Sequence, residues 1–245
     1  MLSLRNRTCV FAGGTGDIGK KAVEFMLKGG MNVGLLTHNR KQADEIVREF
    51  EGLEGKCFVL DDSDGREEAF RKACEQFGSI DVFISKTGQL ENPVSLEEIN
   101  PEDLNKVFNH QVTSVFKGIK DVLPYLRKSA NGRIILFSNV GSLNGFTKEN
   151  LIDNIVRASV NSMVYSLSQI LAEDRITVNA ICFSGMIQDH EGHGLDSHSY
   201  LEKIPLKRIG TSEEIGALIE YLVSEESGYM TGEIIRLSGG LGFGL

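Results

Sequence analysis

Short apolar runs alternate along this chain with longer segments in which apolar and polar residues are mixed. The runs are rich in Val, Ile, Leu and Phe, which is typical of buried strands. In the segments between them apolar residues recur three and four positions apart, which is typical of amphipathic helices. The predicted strands cover residues 9–12, 31–37, 56–60, 80–85, 132–138, 176–182 and 233–237.

Single helices are predicted between most of these strands, at residues 17–30, 41–51, 65–77, 102–128, 151–173 and 212–224. Strands that alternate with single helices form right-handed β-α-β units, which build a parallel sheet covered by helices on both faces. We therefore predict one α/β domain over residues 1–245, a Rossmann-like, doubly wound parallel sheet of about seven strands. Ligands of such folds bind beyond the carboxyl ends of the strands.

The first strand ends in a glycine-rich turn, Gly13-Gly-Thr-Gly-Asp-Ile-Gly19. Glycines at such a turn let the backbone approach a nucleotide pyrophosphate, whose charge rests on free N–H groups at the helix N-terminus. A glycine turn alone is a weak signal, because such turns also occur without a ligand. Asp17 adds a carboxylate at the positive end of the helix, where it would repel a phosphate. We expect a weakened dinucleotide site formed by Gly13, Thr15, Asp17, Ile18 and Gly19.

The end of the second strand usually selects the cofactor, because a carboxylate there holds the ribose hydroxyls of NAD and a basic residue holds the extra phosphate of NADP. No acid follows this strand and Arg40 lies nearby, so NADP is the better guess if a dinucleotide binds. Alternatively, Arg40 is only a solvated residue in a first helical turn. Asp61 follows the third strand and is a further candidate for this site, while the segment 61–64 predicts a helix cap.

Composition narrows the possible partners. The 26 basic and 34 acidic residues give a net charge of −8, which argues against nucleic acid as a partner. No run approaches the roughly 20 apolar residues of a membrane span, so we expect a cytoplasmic protein without a membrane partner. The four cysteines are scattered, which favours free thiols, most of them buried, over a disulfide or a metal cluster.

Three segments make the chain resemble the short-chain dehydrogenase/reductase family over nearly its whole length: Gly13–Gly19, Ile176–Gly185 and Pro205–Gly240. The resemblance implies a serine after the fifth strand, a tyrosine and a lysine four residues apart on the next helix, and an asparagine in the preceding long helix. Hydride transfer to a carbonyl needs a proton donor, and the lysine lowers the pKa of the phenol so that it can serve near neutrality.

All four family positions hold different residues in this chain. Alignment on Gly132–Ile135 and Val160–Asn161 puts these residues at the serine, tyrosine, lysine and asparagine positions: Asn139, Asp153, Arg157 and Gln111. An aspartate beside an arginine is ionised at pH 7 and cannot donate a proton as a phenol does. We expect Asp153 and Arg157 to form an i,i+4 ion pair.

The serine, tyrosine, lysine and asparagine of the family form a proton relay, and residues next to these positions do not restore it here. Ser138 could replace the serine if the register slipped by one residue, but Tyr165 lies twelve residues beyond the tyrosine position, roughly 18 Å along a helix. Other family positions have also changed: an Asn-Asn-Ala-Gly segment is Ser85–Gly88, and an opening threonine is Ala12. Loss of both the cofactor turn and the relay predicts no catalytic residues and no tightly bound cofactor.

Histidines give two weaker candidates. His190, His193 and His198 lie among acids in the segment that closes over substrate in this family, where we favour a solvated lid over a metal site. His110 lies beside Gln111 on a helix with apolar spacing, so a packed or exposed histidine is a simpler interpretation than a general base.

The leading hypothesis is a non-catalytic subunit that partners an active relative in a hetero-oligomeric oxidoreductase, expected to be a tetramer. The family assembles through its two long helices, here 102–128 and 151–173, together with the C-terminal strand. The chain also resembles the inactive subunit of a heterotetrameric dehydrogenase of anaerobic toluene degradation, which implies a hydroxyacyl- or ketoacyl-CoA substrate. Two alternatives remain: an NADP-dependent oxidoreductase with unorthodox acid–base residues, and a non-redox enzyme of the halohydrin-dehalogenase kind.

Overall fold

Seven parallel strands form one sheet in the order β3-β2-β1-β4-β5-β6-β7. The computed structural model describes residues 2, 4–61, 63, 65–88, 96–145, 151–183 and 201–242. The strands are β1 Thr8–Ala12, β2 Asn32–Leu36, β3 Cys57–Leu60, β4 Val82–Ser85, β5 Arg133–Asn139, β6 Thr177–Phe183 and β7 Ile234–Leu237. The strand order reverses between β1 and β4, so the sheet is doubly wound, as predicted.

Helices cover both faces of the sheet. They are α1 Asp17–Lys28, α2 Arg40–Glu49, α3 Arg66–Phe77, α4 Pro101–Phe108, α5 Ser114–Leu126, α6 Gly141–Asn144, α7 Leu151–Ile170 and α8 Ser212–Val223. Alternate strand residues face opposite sides, so Phe11 packs with α1, α2 and α8 while Val10 packs with α3, α5 and α7. Burial on both faces explains why the strands are continuous apolar runs.

The predicted long helix over 102–128 is wrong in one respect, because it is interrupted. A π-helical turn, Asn109–Thr113, separates α4 from α5. This turn buries Gln111 and Val112. A π-turn inserts one residue into the helical repeat, so the apolar spacing on either side still fits a helix and hides the interruption.

The prediction that the acids of segment 61–64 cap α3 is also wrong for Asp61, the acid of that segment that the structure describes. Gly65 is the N-cap, with φ +100° and no capping side chain. Asp61 instead accepts a hydrogen bond from the backbone N–H of Ser63, at 3.0 Å. Asp62 and Asp64 lie outside the described residues.

The prediction of free thiols is confirmed. All four cysteines are unpaired; Cys9 and Cys182 are buried, while Cys57 and Cys74 are half-buried. Burial raises the pKa of Cys57 and of Cys182 to about 12, so both stay protonated and unreactive near neutral pH. Within the described ranges, no helix combines the length and the apolar character needed to cross a bilayer.

Candidate functional site

The glycine turn lies at the switch point of the sheet, between β1 and α1. Gly13 has φ +82°, and a Cβ atom there would lie 1.9 Å from the carbonyl oxygen of Lys86, so the turn packs backbone against backbone on the end of β4. Gly19 packs in the same way against Gly14, whose carbonyl carbon would lie 2.6 Å from an added Cβ. Gly16, the N-cap of α1, has open space where its Cβ would be. The turn is therefore closed toward the sheet and open at the helix N-terminus, as a phosphate cradle requires.

A cavity of about 300 Å³ opens beside this turn, at the carboxyl ends of β1, β2 and β4. Its volume is at the lower end of the range for small-molecule sites. Four basic side chains are among its lining residues: His38, Arg66, Lys86 and His110. No carboxylate belongs to that lining, so the described walls of the cavity favour an anion.

The structure places the predicted cofactor residues in two groups. Gly13 lines the cavity, and Ile18 and Gly19 are buried beneath the turn, while Asp17 is exposed at the first position of α1. Thr15 lies in the turn itself and is half-buried. The residues of this first group fit a nucleotide phosphate, except for the carboxylate of Asp17.

Arg40 and Asp61, the second group, form an exposed ion pair at 2.9 Å. The backbone N–H of Ser63 and then the Arg40 guanidinium hold the pKa of Asp61 below its usual value. Asp44 lies 3.8 Å from Arg40 as well, so two acids already offset its charge. Arg40 is thus a solvated first-turn residue in this structure, and its use for an NADP phosphate stays a prediction.

Lys86 is the residue of this site that the sequence analysis missed, since it was treated only as a departure from the family's Asn-Asn-Ala-Gly. Its half-buried side chain lines the cavity, and among the described residues it has no hydrogen-bond or ion-pair partner. Burial and the nearby Arg157 lower the pKa of Lys86, while Asp17 acts in the opposite direction. The sequence did contain an indication of this role, namely a lysine at the end of a predicted strand where the family has an uncharged asparagine.

The four residues that the alignment assigns to the relay lie close together in the structure. The amide of Asn139, at the end of β5, donates to Oδ2 of Asp153. Nε of Arg157 lies 3.4 Å from Oδ1 of the same carboxylate, and these two side chains are only 4% and 6% exposed. The predicted ion pair is therefore present, and it is buried.

Arg157 is held by the ends of two strands as well as by Asp153. It donates to Oγ1 of Thr87 at 2.8 Å, to the carbonyl of Gly88 at 2.7 Å and to the carbonyl of Phe137 at 3.3 Å. Gln111 lies 3.5 Å from the Thr87 hydroxyl, which connects the π-helical turn to the same cluster. Burial lowers the pKa of Arg157, and Asp153 opposes that shift.

This cluster contains no group that could act like the family's phenol. Asp153 is an acceptor for Asn139 and a counter-ion for Arg157, and it is buried. Ser138 does not replace the serine, because it is buried and its hydroxyl is hydrogen-bonded to that of Ser142, at 3.0 Å. Tyr165 is on α7 but half exposed and far along the helix from Asp153. Among the described residues of this cluster, the side chains hold opposite charges together and none has the phenol of the family's tyrosine.

The histidine candidates contribute little to this site. His110 is exposed and lines the cavity, where it adds to the basic character of the wall. His190, His193 and His198 lie outside the described residues. Within the part of the chain that the structure describes, no three His, Cys, Asp or Glu side chains are grouped as metal ligands.

A doubly wound sheet with a glycine turn and a basic cavity at its switch point defines a Rossmann-type domain, a fold class in which nucleotides bind at the switch point. A family model described as "Enoyl-(Acyl carrier protein) reductase" matches residues 13–242. The 3-oxoacyl-[acyl-carrier-protein] reductase FabG of Thermotoga maritima is 31% identical, over 98% of this chain and 99% of the relative. The chain belongs to the short-chain dehydrogenase/reductase family of oxidoreductases.

Solved structures support the same fold. A short-chain dehydrogenase/reductase from Brucella melitensis superposes with a TM-score of 0.88 at 25% identity, covering 98% of both chains. The NADP active-site complex of Pseudomonas aeruginosa RhlG gives a TM-score of 0.87 at 23% identity, again with 98% of both chains covered. At this identity the likeness to RhlG concerns the fold, and its NADP is a property of that protein.

Proposed function

We propose that this chain is a non-catalytic subunit of a short-chain dehydrogenase/reductase assembly and a structural partner of an active relative. The observation that carries the proposal is the buried cluster of Asn139, Asp153 and Arg157. In the alignment given above, these residues stand at the positions of the serine, tyrosine and lysine that supply a proton in active members. A carboxylate that accepts a hydrogen bond from an amide and pairs with a guanidinium serves as an acceptor and counter-ion, which differs from the proton-donating role of a phenol.

Exposed apolar side chains on the long helices support the partnership. Four large apolar side chains are between 37% and 47% exposed: Phe108 at the end of α4, Phe116 on α5, and Leu151 and Ile155 on α7. Behind them the half-buried side chains of Leu104, Val107 and Met163 pack on a small cluster formed by Val112, Ile152 and Val156. Obligate interfaces bury about 2,000 Å² or more and are rich in such residues. We propose this helical face as the contact with the active subunit.

For the substrate of the assembly we propose a 3-oxoacyl or 3-hydroxyacyl thioester. The FabG relative is named as a reductase of a 3-oxoacyl thioester. A coenzyme A thioester of aromatic breakdown, implied by the resemblance stated above, belongs to the same chemical class. None of the described residues of this chain is assigned to the thioester, since the proposal puts the chemistry in the partner.

A second candidate is an active NADP-dependent reductase that uses Asp153 in an unorthodox way, and the similarity to FabG favours it. The two proposals are separated by turnover of the purified chain with NADPH and acetoacetyl-CoA. We expect none above background, and the Asp103→Asn variant, altered on the exposed surface of α4, should behave identically. Turnover in the natural chain that Asp153→Asn abolishes would establish the carboxylate mechanism instead. The dehalogenase alternative needs a serine and a tyrosine where this chain has Asn139 and Asp153.

A further inference from the structure

Two charged residues of opposite sign, Asp17 and Lys86, lie near the glycine turn. Asp17 puts a carboxylate at the first position of α1, and Lys86 puts an ammonium group directly after β4, where the Asn-Asn-Ala-Gly segment of the family has an asparagine. The backbone of residue 86 packs directly beneath the turn, because its carbonyl oxygen fills the space that a Cβ of Gly13 would need. Lys86 therefore leaves β4 on the same side of the sheet as the N-terminus of α1.

The Lys86 ammonium is available to a ligand. Lys86 and Asp17, both described residues, form no ion pair within 4.0 Å, and Asp17 acts on the Lys86 ammonium only as a more distant opposite charge. The neighbouring guanidinium of Arg157 is already engaged by Asp153 and by the carbonyl of Gly88. An ammonium group has three N–H donors, and a half-buried one loses hydration that an anion could replace.

The rest of the cavity suits a nucleotide better than a bare ion. Leu36 and Phe83 contribute apolar wall, against which a flat base can pack, while Arg66 adds a positive charge and His38 and His110 add polar imidazole groups to the lining. Arg66 donates to the carbonyl of Ser114 at 3.3 Å, which fixes its position on the wall next to α5. The cavity thus combines a place for a ring with a cationic side that points to phosphate.

We propose that Lys86 is a phosphate-binding residue that offsets the charge of Asp17, so that this cavity takes a nucleoside diphosphate, free or as half of a dinucleotide. The expectation of weak binding, based on Asp17 and on the changes at Ala12 and Thr87, did not take this cation into account. The inference concerns ligand binding and does not depend on the proposed loss of catalysis. It predicts that removing the charge of Lys86 weakens nucleotide binding and that removing the charge of Asp17 strengthens it.

Calorimetric titration of the full-length chain tests the proposal with ADP, NADPH and adenosine as probes. We expect the Lys86→Met variant to bind ADP and NADPH at least tenfold more weakly, because it loses a charged contact to phosphate. Asp17→Asn should tighten both severalfold, and adenosine should bind equally weakly to all variants. Lys106→Met removes an exposed lysine of α4 and should leave every affinity unchanged.

Two results would overturn the proposal. One is a natural chain that binds neither ADP nor NADPH at millimolar concentration; the other is a folded Lys86→Met variant that binds both as well as the natural chain does. Thermal unfolding reports whether the variant is folded, and Lys86→Gln provides a neutral polar replacement if the methionine is not tolerated. Binding of both probes would indicate a nucleoside diphosphate site, and binding of NADPH alone would indicate that the dinucleotide is required.

Discussion

Asp153 places a carboxylate in a buried position, with consequences for the stability of the fold. A phenol at this position would need to reach substrate, whereas the carboxylate is almost fully buried against Arg157. Burying two charges costs solvation free energy, which good geometry and further hydrogen bonds must offset. Arg157 has those further bonds, to Thr87, Gly88 and Phe137, and Asp153 has the amide of Asn139. Such a pair adds little net stability, but removing either charge leaves the other buried without a counter-ion.

We therefore predict that Asp153→Ala lowers the free energy of unfolding by about 3 kcal/mol, because it leaves the Arg157 charge buried without its counter-ion. The double variant Asp153→Ala/Arg157→Met should recover much of this loss, since no unpaired charge remains. Urea denaturation followed by circular dichroism measures both. A single variant as stable as the natural chain would show that the ion pair is not important to the fold.

The sequence located these residues but not their surroundings. Family spacing was enough to place Asn139, Asp153, Arg157 and Gln111 together, and i,i+4 spacing was enough to pair the acid with the arginine. The three carbonyl and hydroxyl partners of Arg157 could not be predicted, because they come from other strands brought near by the tertiary fold. Lys86 was overlooked for the same reason, since its proximity to Asp17 appears only when β4 lies beside β1.

At the scale of single elements, the turn before α1 shows which glycines the fold requires. Gly19 contacts the backbone of Gly14 so closely that a methyl group would need one of them to move. Gly16, three residues earlier, has an ordinary φ of −77° and open space around its Cβ position. The two glycines therefore differ in role. Gly19 is required for close packing against Gly14, whereas the position of Gly16 leaves room for a side chain or a ligand.

This difference gives a matched pair of variants. Gly19→Ala should lower the free energy of unfolding by about 1–3 kcal/mol, the usual range for overpacking. Gly16→Ala should lower it by less than about 1 kcal/mol, because the added methyl group meets no atom and the only cost is that alanine is a poorer N-cap than glycine. Chemical denaturation of both variants measures the difference. Equal losses would contradict the packing seen at Gly19.

The N-terminus of α8 carries a capping box with a measurable pH dependence. Glu214 accepts from the backbone of Thr211, at 2.8 Å, and pairs with Arg208, at 2.6 Å. The hydrogen bond from Arg208, followed by that from Thr211, lowers the pKa of Glu214 to about 2. A carboxyl whose pKa is lower in the folded state stabilises the fold above its unfolded pKa and loses this contribution as pH falls through the folded value.

We predict that the natural chain is more stable than Glu214→Gln at pH 7, and that the difference disappears as pH falls from about 4.5 toward about 2. Glutamine keeps the cap hydrogen bond and removes only the charge, so the comparison isolates the ion pair and the charge on the helix N-terminus. Free energies of unfolding measured from pH 7 to pH 2.5 provide the test. A difference that does not change with pH would refute the shift.

Sequence periodicity predicted the strands and most helices well, because burial on both sheet faces produces continuous apolar runs. It failed where local backbone geometry departs from a repeat. The π-helical turn at Asn109–Thr113 kept the apolar spacing of a single helix, and the glycine cap of α3 was hidden behind a run of acids. Both departures lie beside the candidate site, where Gln111 reaches Thr87.

At the scale of the whole molecule, the chain has the fold of its family, while the four positions aligned with the family's relay hold different residues. The sheet order, the glycine turn and the basic cavity all match a nucleotide-binding oxidoreductase. The four relay residues instead form a buried cluster, and large apolar side chains remain exposed on α4, α5 and α7. A protein that keeps its architecture and exposes an apolar helical face is well suited to supporting a partner.

The central claim, partnership with an active relative, is tested most directly by native mass spectrometry of the complex purified from its own cells. We predict an assembly that contains this chain, at 27.0 kDa, together with a second chain of similar size that carries the intact serine, tyrosine and lysine. A homo-oligomer of this chain alone that reduces a 3-oxoacyl thioester with NADPH would contradict the account and favour the unorthodox enzyme.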